Sequence, residues 1–183
     1  MMVPQGCRRT SFTVDPVALL KREHGMILDQ LAMIETAMSP RSAGSGVAKG
    51  PDRSTLRELL QFFTSRVGVH FRREEVLVAD LQRILGRKQE GQEQFQSFLD
   101  EHRMLKADAT AVMRKLRRKR ADGRDSAVLE NLGGLRTLNS ELRALIRRYR
   151  EQISCEERML FVLAEMRLTA EQKRRISRRM LQV

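Results

Sequence analysis

Tryptophan is absent from this 183-residue chain, tyrosine occurs once, and aromatic residues make up only 4% of it. Alternating runs of β-branched residues are missing too, which removes the usual signature of strands. Glycine and proline number 11 and 4. They gather in a few stretches, leaving long segments free of helix breakers. No apolar run approaches the roughly 20 residues that a membrane helix needs. The opening MMVPQGCRRT lacks the apolar core of a secretory signal, so the chain reads as cytoplasmic. The two cysteines agree with that. Cys7 falls in a leader and Cys155 in a helix, so no structural disulfide is expected. Cys7 follows a glycine but no apolar stretch, and is not read as a lipid-attachment site.

What is present is helix-forming. Leu, Met, Ala, Glu, Gln and Arg dominate, and 41% of the residues are hydrophobic, enough for the core of one domain. The chain is expected to be all-α. Residues 1–14 read as a disordered leader. Asp15-Pro16 is a helix start, with Asp as cap and Pro at the first helical position. Helix 1 then runs to about Met38, with the apolar stripe Leu20, His24, Ile27, Leu31, Ile34, Met38. Residues 39–54 are rich in Ser, Gly and Pro and read as a loop. Helix 2 spans about Thr55 to Leu85, stopped by Gly86, with stripe Phe63, Val67, His70, Glu74, Leu77, Leu81 and a weak point at Gly68.

Helix 3 spans about Gln92 to Arg120, with Phe95, Phe98, His102, Leu105, Ala109, Val112 and Leu116 on one face. Asp122-Gly123 makes a turn. Helix 4 spans about Ser126 to Met166, with Leu138, Leu142, Leu145, Tyr149, Gln152, Glu156, Met159 and Leu163; Gly133-Gly134 should kink or fray its start. Thr169-Ala170-Glu171-Gln172 is a capping box opening a short basic helix. The expected architecture is an up-down-up-down four-helix bundle over 15–166 with a short additional C-terminal helix in 167–183.

Each stripe is aliphatic except at one level, where it carries His24, His70 with Glu74, His102, and Gln152 with Glu156. Burying imidazole or carboxylate costs several kcal/mol unless something compensates. All three histidines of the chain fall at this level. A shared metal ion is the simplest cause, since it takes neutral imidazole and carboxylate together. His70 and Glu74 stand four apart, on one helical face, as do Gln152 and Glu156. Glu23-His24 is echoed by Glu101-His102, and the segment at His70 by the segment at Gln152, as if two related helix pairs faced each other.

Blander alternatives stand beside this. The histidines could form a hydrogen-bonded polar layer without metal, and Glu74 and Glu156 could pair with Arg from a neighbouring helix. The adjacent Glu75 and Glu157 leave the register open by one residue. Cys155 reads as a small buried hydrophobe, Tyr149 as a core aromatic, and Met26, Met33, Met38, Met104, Met113 and Met159 as core filler.

In these segments, among them VHFRREEVL, DEHRML and CEERMLFVLAE, the chain resembles the hemerythrin-like (HHE cation-binding) family over about 15–166. The family pattern is His in helix 1, His-x-x-x-Glu in helix 2, His in helix 3 and His-x-x-x-Glu in helix 4. His24, His70 with Glu74, His102 and Glu156 match it. The resemblance implies a non-haem di-iron centre with the two carboxylates bridging, and roles in binding dioxygen, responding to dioxygen or nitric oxide, or handling iron. Gln152 departs from the pattern where the fourth helix should carry His. It offers only a neutral amide oxygen, so the neighbouring ion should be the weaker and one ion instead of two is an alternative.

The net charge of +12 favours acidic partners, so the alternative function is a metal-depleted basic interaction module for nucleic acid or an acidic protein. Basic runs lie at Arg114–Arg120 and Lys173–Arg179, without a DNA-reading motif. No Ser-His-Asp order, phosphate loop, CxxC pair or dinucleotide fingerprint is evident. A binding protein is expected, not an enzyme, with weak di-iron oxidase or peroxidase activity as the third possibility.

Overall fold

Asp15 starts the first helix as its side chain foretells: Oδ1 accepts from the backbone N–H groups of Val17 (2.9 Å) and Ala18 (3.1 Å). The computed structural model describes residues 14–38, 53–86, 89–121 and 132–183. Six helical segments follow in order: α1 (Pro16–Met38), α2 (Arg53–Leu85), α3 (Gln89–Ala121), α4 (Leu132–Arg158), α5 (Leu160–Arg167) and α6 (Ala170–Met180). Consecutive helices α1 to α4 pack side by side, and α4 returns to α1, which closes the expected bundle. Cys7, the 39–52 loop and the Asp122-Gly123 turn lie outside the described residues.

The four stripes do turn inward, and the polar level divides the core in two. On one side lies a cluster that includes Ile27, Leu31, Leu60, Phe63, Leu105, Leu142 and Tyr149. On the other lies a cluster that includes Leu20, Leu77, Leu81, Phe95, Leu160, Phe161, Ile176 and Met180. Gly86 ends α2 at φ 73°, the left-handed conformation that glycine adopts without steric cost. Gly68 does not interrupt α2, and Gly133-Gly134 lie within the first turn of α4.

Two expectations need correction. Helix 4 does not run unbroken to Met166. It breaks at Met159 (φ −116°, ψ −63°), although the bonds Met159 N–H to Cys155 O and Leu163 N–H to Met159 O, both 3.0 Å, carry the helical path across. Beyond the break, Leu160, Phe161 and Ala164 face the core, so the stripe steps from Glu156 by four and not by three. Four of the methionines assigned to the core are also exposed: Met26, Met33, Met104 and Met159. The first three lie off the stripes of their helices, and Met159 sits at the break. Met38 and Met113 are buried as expected, and so is Tyr149.

Both halves of the Thr169–Gln172 capping box are formed. The helix it opens, α6, packs on α1 and α2. Ile176 and Met180 enter the core, and Ser177 Oγ donates to the Val14 carbonyl at 2.5 Å. Its basic residues are partly consumed inside the fold. Asp80 on α2 is fully buried and holds Arg175 (3.3 Å), Arg179 (2.5 Å) and Arg83 around its carboxylate. Nothing in the spacing of the sequence marked Asp80 as a core residue. A buried carboxylate is costly without such partners, so two arginines of α6 join Arg83 of α2 in offsetting the burial of Asp80. No described helix is long and apolar enough to cross a membrane.

Candidate metal centre

The structure brings all six predicted residues to one buried layer. His24, His70, Glu74, His102 and Glu156 are at most 2% exposed, and Gln152 is 8% exposed. Helical repeat explains the assembly: each residue sits on the inward stripe of its own helix, so closing the bundle makes them converge.

Glu74 is the hub. Its Oε1 lies 3.4 Å from His24 Nε2, and its Oε2 lies 3.3 Å from both His70 Nε2 and His102 Nε2. Glu156 faces it, with Oε2 at 3.3 Å from His24 Nε2 and Oε1 at 2.9 Å from His102 Nε2. Gln152 Nε2 donates to Glu156 Oε1 at 2.6 Å. Ligand atoms of His24, His70, Glu74 and Glu156 all lie within 4.8 Å of one another. His102 is not in that group of four; its Nε2 and the Gln152 amide approach the same Glu156 oxygen.

The outer ring nitrogens of two histidines are held by further carboxylates. His70 Nδ1 is 3.0 Å from Glu23 Oε2, and His24 Nδ1 is 3.0 Å from Glu157 Oε1. Arg73 in turn binds the other oxygen of Glu23. Such carboxylate contacts fix the tautomer and aim Nε2 inward, the usual support of a metal-ligating imidazole. Aromatic rings hold the imidazole planes: Phe161 stacks on His24 at 5.0 Å and Phe71 on His102 at 4.0 Å. Glu23 and Glu157 were missed as site residues, although Glu157 was noted as a rival to Glu156. The Glu23/Glu101 echo does not extend to their roles, because Glu101 pairs with Arg148 at 2.7 Å. Glu75 points away and meets Lys106.

The donor set fits a cation. His24 Nε2, His70 Nε2, both oxygens of Glu74 and Glu156 Oε2 are buried without a hydrogen-bond partner. Buried polar atoms are rarely left so, and here they converge from four helices. A layer closed by its own hydrogen bonds would not leave its inward atoms unmatched. Nor do Arg side chains satisfy Glu74 or Glu156; among the described residues their ionic partners are imidazoles.

A sequence model of the hemerythrin HHE cation binding domain matches residues 15–164. The chain belongs to this family. No curated protein and no solved structure matches it significantly. The hemerythrin-like domain thus covers the four-helix bundle and the polar layer, while α6 lies beyond it.

Carboxylates govern the ionisation of the imidazoles in the layer of this hemerythrin-like domain. Burial disfavours the His24 imidazolium, but the close carboxylates of Glu156 and Glu74 outweigh it and raise its pKa to about 10. His70 and His102 reach about 9 against the same burial: Glu74 and Glu23 lift the first, Glu156 and Glu74 the second. Burial would raise Glu74, yet the charge of His70 and the close approach of the three imidazoles hold it well below 4.5. The stability from raised imidazole pKa values is complete below the ordinary 6.5 and is lost as pH climbs through 9 to 10. The stability from Glu74 is complete above 4.5 and is lost as pH falls through its lowered value. Metal-free protein is therefore expected to be most stable between about pH 4.5 and 6.5. A cation must displace the imidazole protons, so its binding should tighten toward pH 9 and release protons. Melting curves with and without cation at pH 6 and pH 8.5 check this: the gain in Tm on adding cation should be larger at the higher pH.

Proposed function

We propose that this chain is a cytoplasmic, non-haem iron-binding module that holds two ions of unequal affinity and serves to bind or sense dioxygen or nitric oxide, or to handle iron. The observation that carries the reading is the convergence of unpartnered imidazole and carboxylate atoms in one buried layer. His24, His70, Glu74 and Glu156 would hold the tighter ion. His102 and Gln152, with the same two carboxylates, would hold the weaker one, where the donor set has one imidazole instead of two. Bound iron would supply reversible redox chemistry and a coordination position open to a small ligand.

The residues around the layer suit that task. Glu23 and Glu157 hold the His70 and His24 rings with Nε2 inward. Two apolar clusters flank the layer above and below. Between α1 and α2, a partly open cavity of about 300 Å³ reaches His70, lined by apolar Met26, Ile27 and Phe63 and by charged Asp29, Arg66 and Arg73, enough room for a diatomic ligand to approach.

Iron content of the purified full chain, followed by titration of the metal-stripped protein with ferrous iron, tests the proposal. Two binding phases are expected. His70→Ala should abolish the tighter phase and His102→Ala the weaker. Absence of iron binding in the wild type, or its survival in both variants, would overturn the reading.

A further inference from the structure

The last helix ends where the supports of His70 begin. A helix leaves its final carbonyls without intrahelical partners. At the end of α6, the Met180 carbonyl accepts from Arg73 Nε at 3.1 Å, and the Val183 carbonyl accepts from Arg72 Nη2 at 3.3 Å. The Arg73 guanidinium also donates through Nη1 to Glu23 Oε1, while Glu23 Oε2 lies 3.0 Å from His70 Nδ1. One planar cation therefore joins the C-terminus of a helix outside the family domain to an imidazole of the polar layer. The side chains of this link are largely sheltered, Glu23 at 10% and Arg73 at 20% exposure, where competition from water is weak.

We infer that Glu23 and Arg73 are positioning residues through which docking of α6 and cation binding at His70 strengthen each other; this rests on the cation-binding reading above. Glu23 holds His70 Nδ1, which turns Nε2 toward Glu74 as the atom a cation would take once its proton is displaced. Arg73 fixes Glu23, and its fork of donors suits a carboxylate and a carbonyl at once. When α6 leaves, Arg73 loses the Met180 carbonyl and Glu23 loses its anchored partner. The ring that must present Nε2 is then freer to turn. An 11-residue helix is marginal by itself in water, so α6 owes its order to docking. By linkage, whatever factor docking adds to cation affinity, the cation returns to docking.

Cobalt(II) serves as the probe, with the full chain throughout. In the wild type, bound cobalt should slow amide exchange over residues 177–182 by roughly tenfold. Glu23→Gln keeps the size of the side chain and removes its charge. It should weaken cobalt binding by about tenfold and leave less than about a twofold slowing in α6. Arg73→Gln should act alike, and unchanged circular dichroism of the metal-free variants establishes that each is folded. Should Arg73→Gln not fold, Glu23→Gln decides. Slowing of α6 that persists in the folded variants, or a wild type that binds cobalt without any slowing, overturns this inference alone. A wild type that binds no cobalt overturns the cation-binding reading and this one with it.

Discussion

Glu74→Gln is expected to weaken binding of both proposed ions by on the order of a thousandfold. The estimate follows from charge. A unit charge about 4 Å from another is worth about 4 kcal/mol at the effective dielectric of a protein site, and about 1.4 kcal/mol is a factor of ten in affinity. No other side chain in the layer faces all three imidazoles; the Glu74 oxygens lie 3.3 to 3.4 Å from each Nε2. The amide keeps the volume and one acceptor, so packing survives while the negative charge does not. In metal-free protein the imidazoles lose their main counter-charge, and the rise of stability below neutral pH should shrink accordingly. Titration with ferrous iron against a competing chelator measures the first effect, and melting curves at pH 6 the second. Iron affinity within threefold of wild type would remove Glu74 from the ligand set.

Gln152→His should act on one ion only. The side chain is buried beside Glu156, to which its amide nitrogen donates at 2.6 Å. That bond occupies a carboxylate oxygen that a cation near His102 would use. Imidazole at this position has similar volume, adds a stronger ligand than an amide and vacates the carboxylate oxygen. The second equivalent of iron should then bind at least about tenfold tighter, or roughly 1.4 kcal/mol, with the first unchanged. A two-phase titration read by visible absorption distinguishes the outcomes. Equal tightening of both phases, or of neither, would place the weaker ion elsewhere than between His102 and position 152.

Much of the fold follows from the period of the apolar stripes. That period assigned His24, His70, Glu74, His102, Gln152 and Glu156 to the interior before any contact was known, because a helix that buries one side fixes the side of every residue on it. The stripe of helix 4 failed after Glu156. Met159 and Leu160 are both apolar, and only the packing of Leu160, Phe161 and Ala164 against the second core cluster decides between them. Partners across helices were less legible. Glu23 adjoins His24 in sequence but supports His70, because neighbours on a helix point about 100° apart and do not face each other. Glu157 reaches back to His24 from a half-exposed position that no stripe includes. Asp80 lies one residue from the helix 2 stripe, and its burial is intelligible only once α6 has delivered Arg175 and Arg179. The basic C-terminal run looked like a surface for acidic partners, yet part of it neutralises a charge within the fold.

Tyr149 links the scarcity of aromatic residues to the layer below it. Its ring meets Phe63 edge-on at 4.9 Å and lies over Phe71 at 6.1 Å, and Phe71 stacks on His102. With no tryptophan and no second tyrosine in the chain, ultraviolet emission originates from this one ring, two stacking steps from the His102 imidazole. The protein thus carries an intrinsic fluorophore at a single defined distance from its polar layer. A change in that emission is the expected optical sign of a cation taken up beside His102.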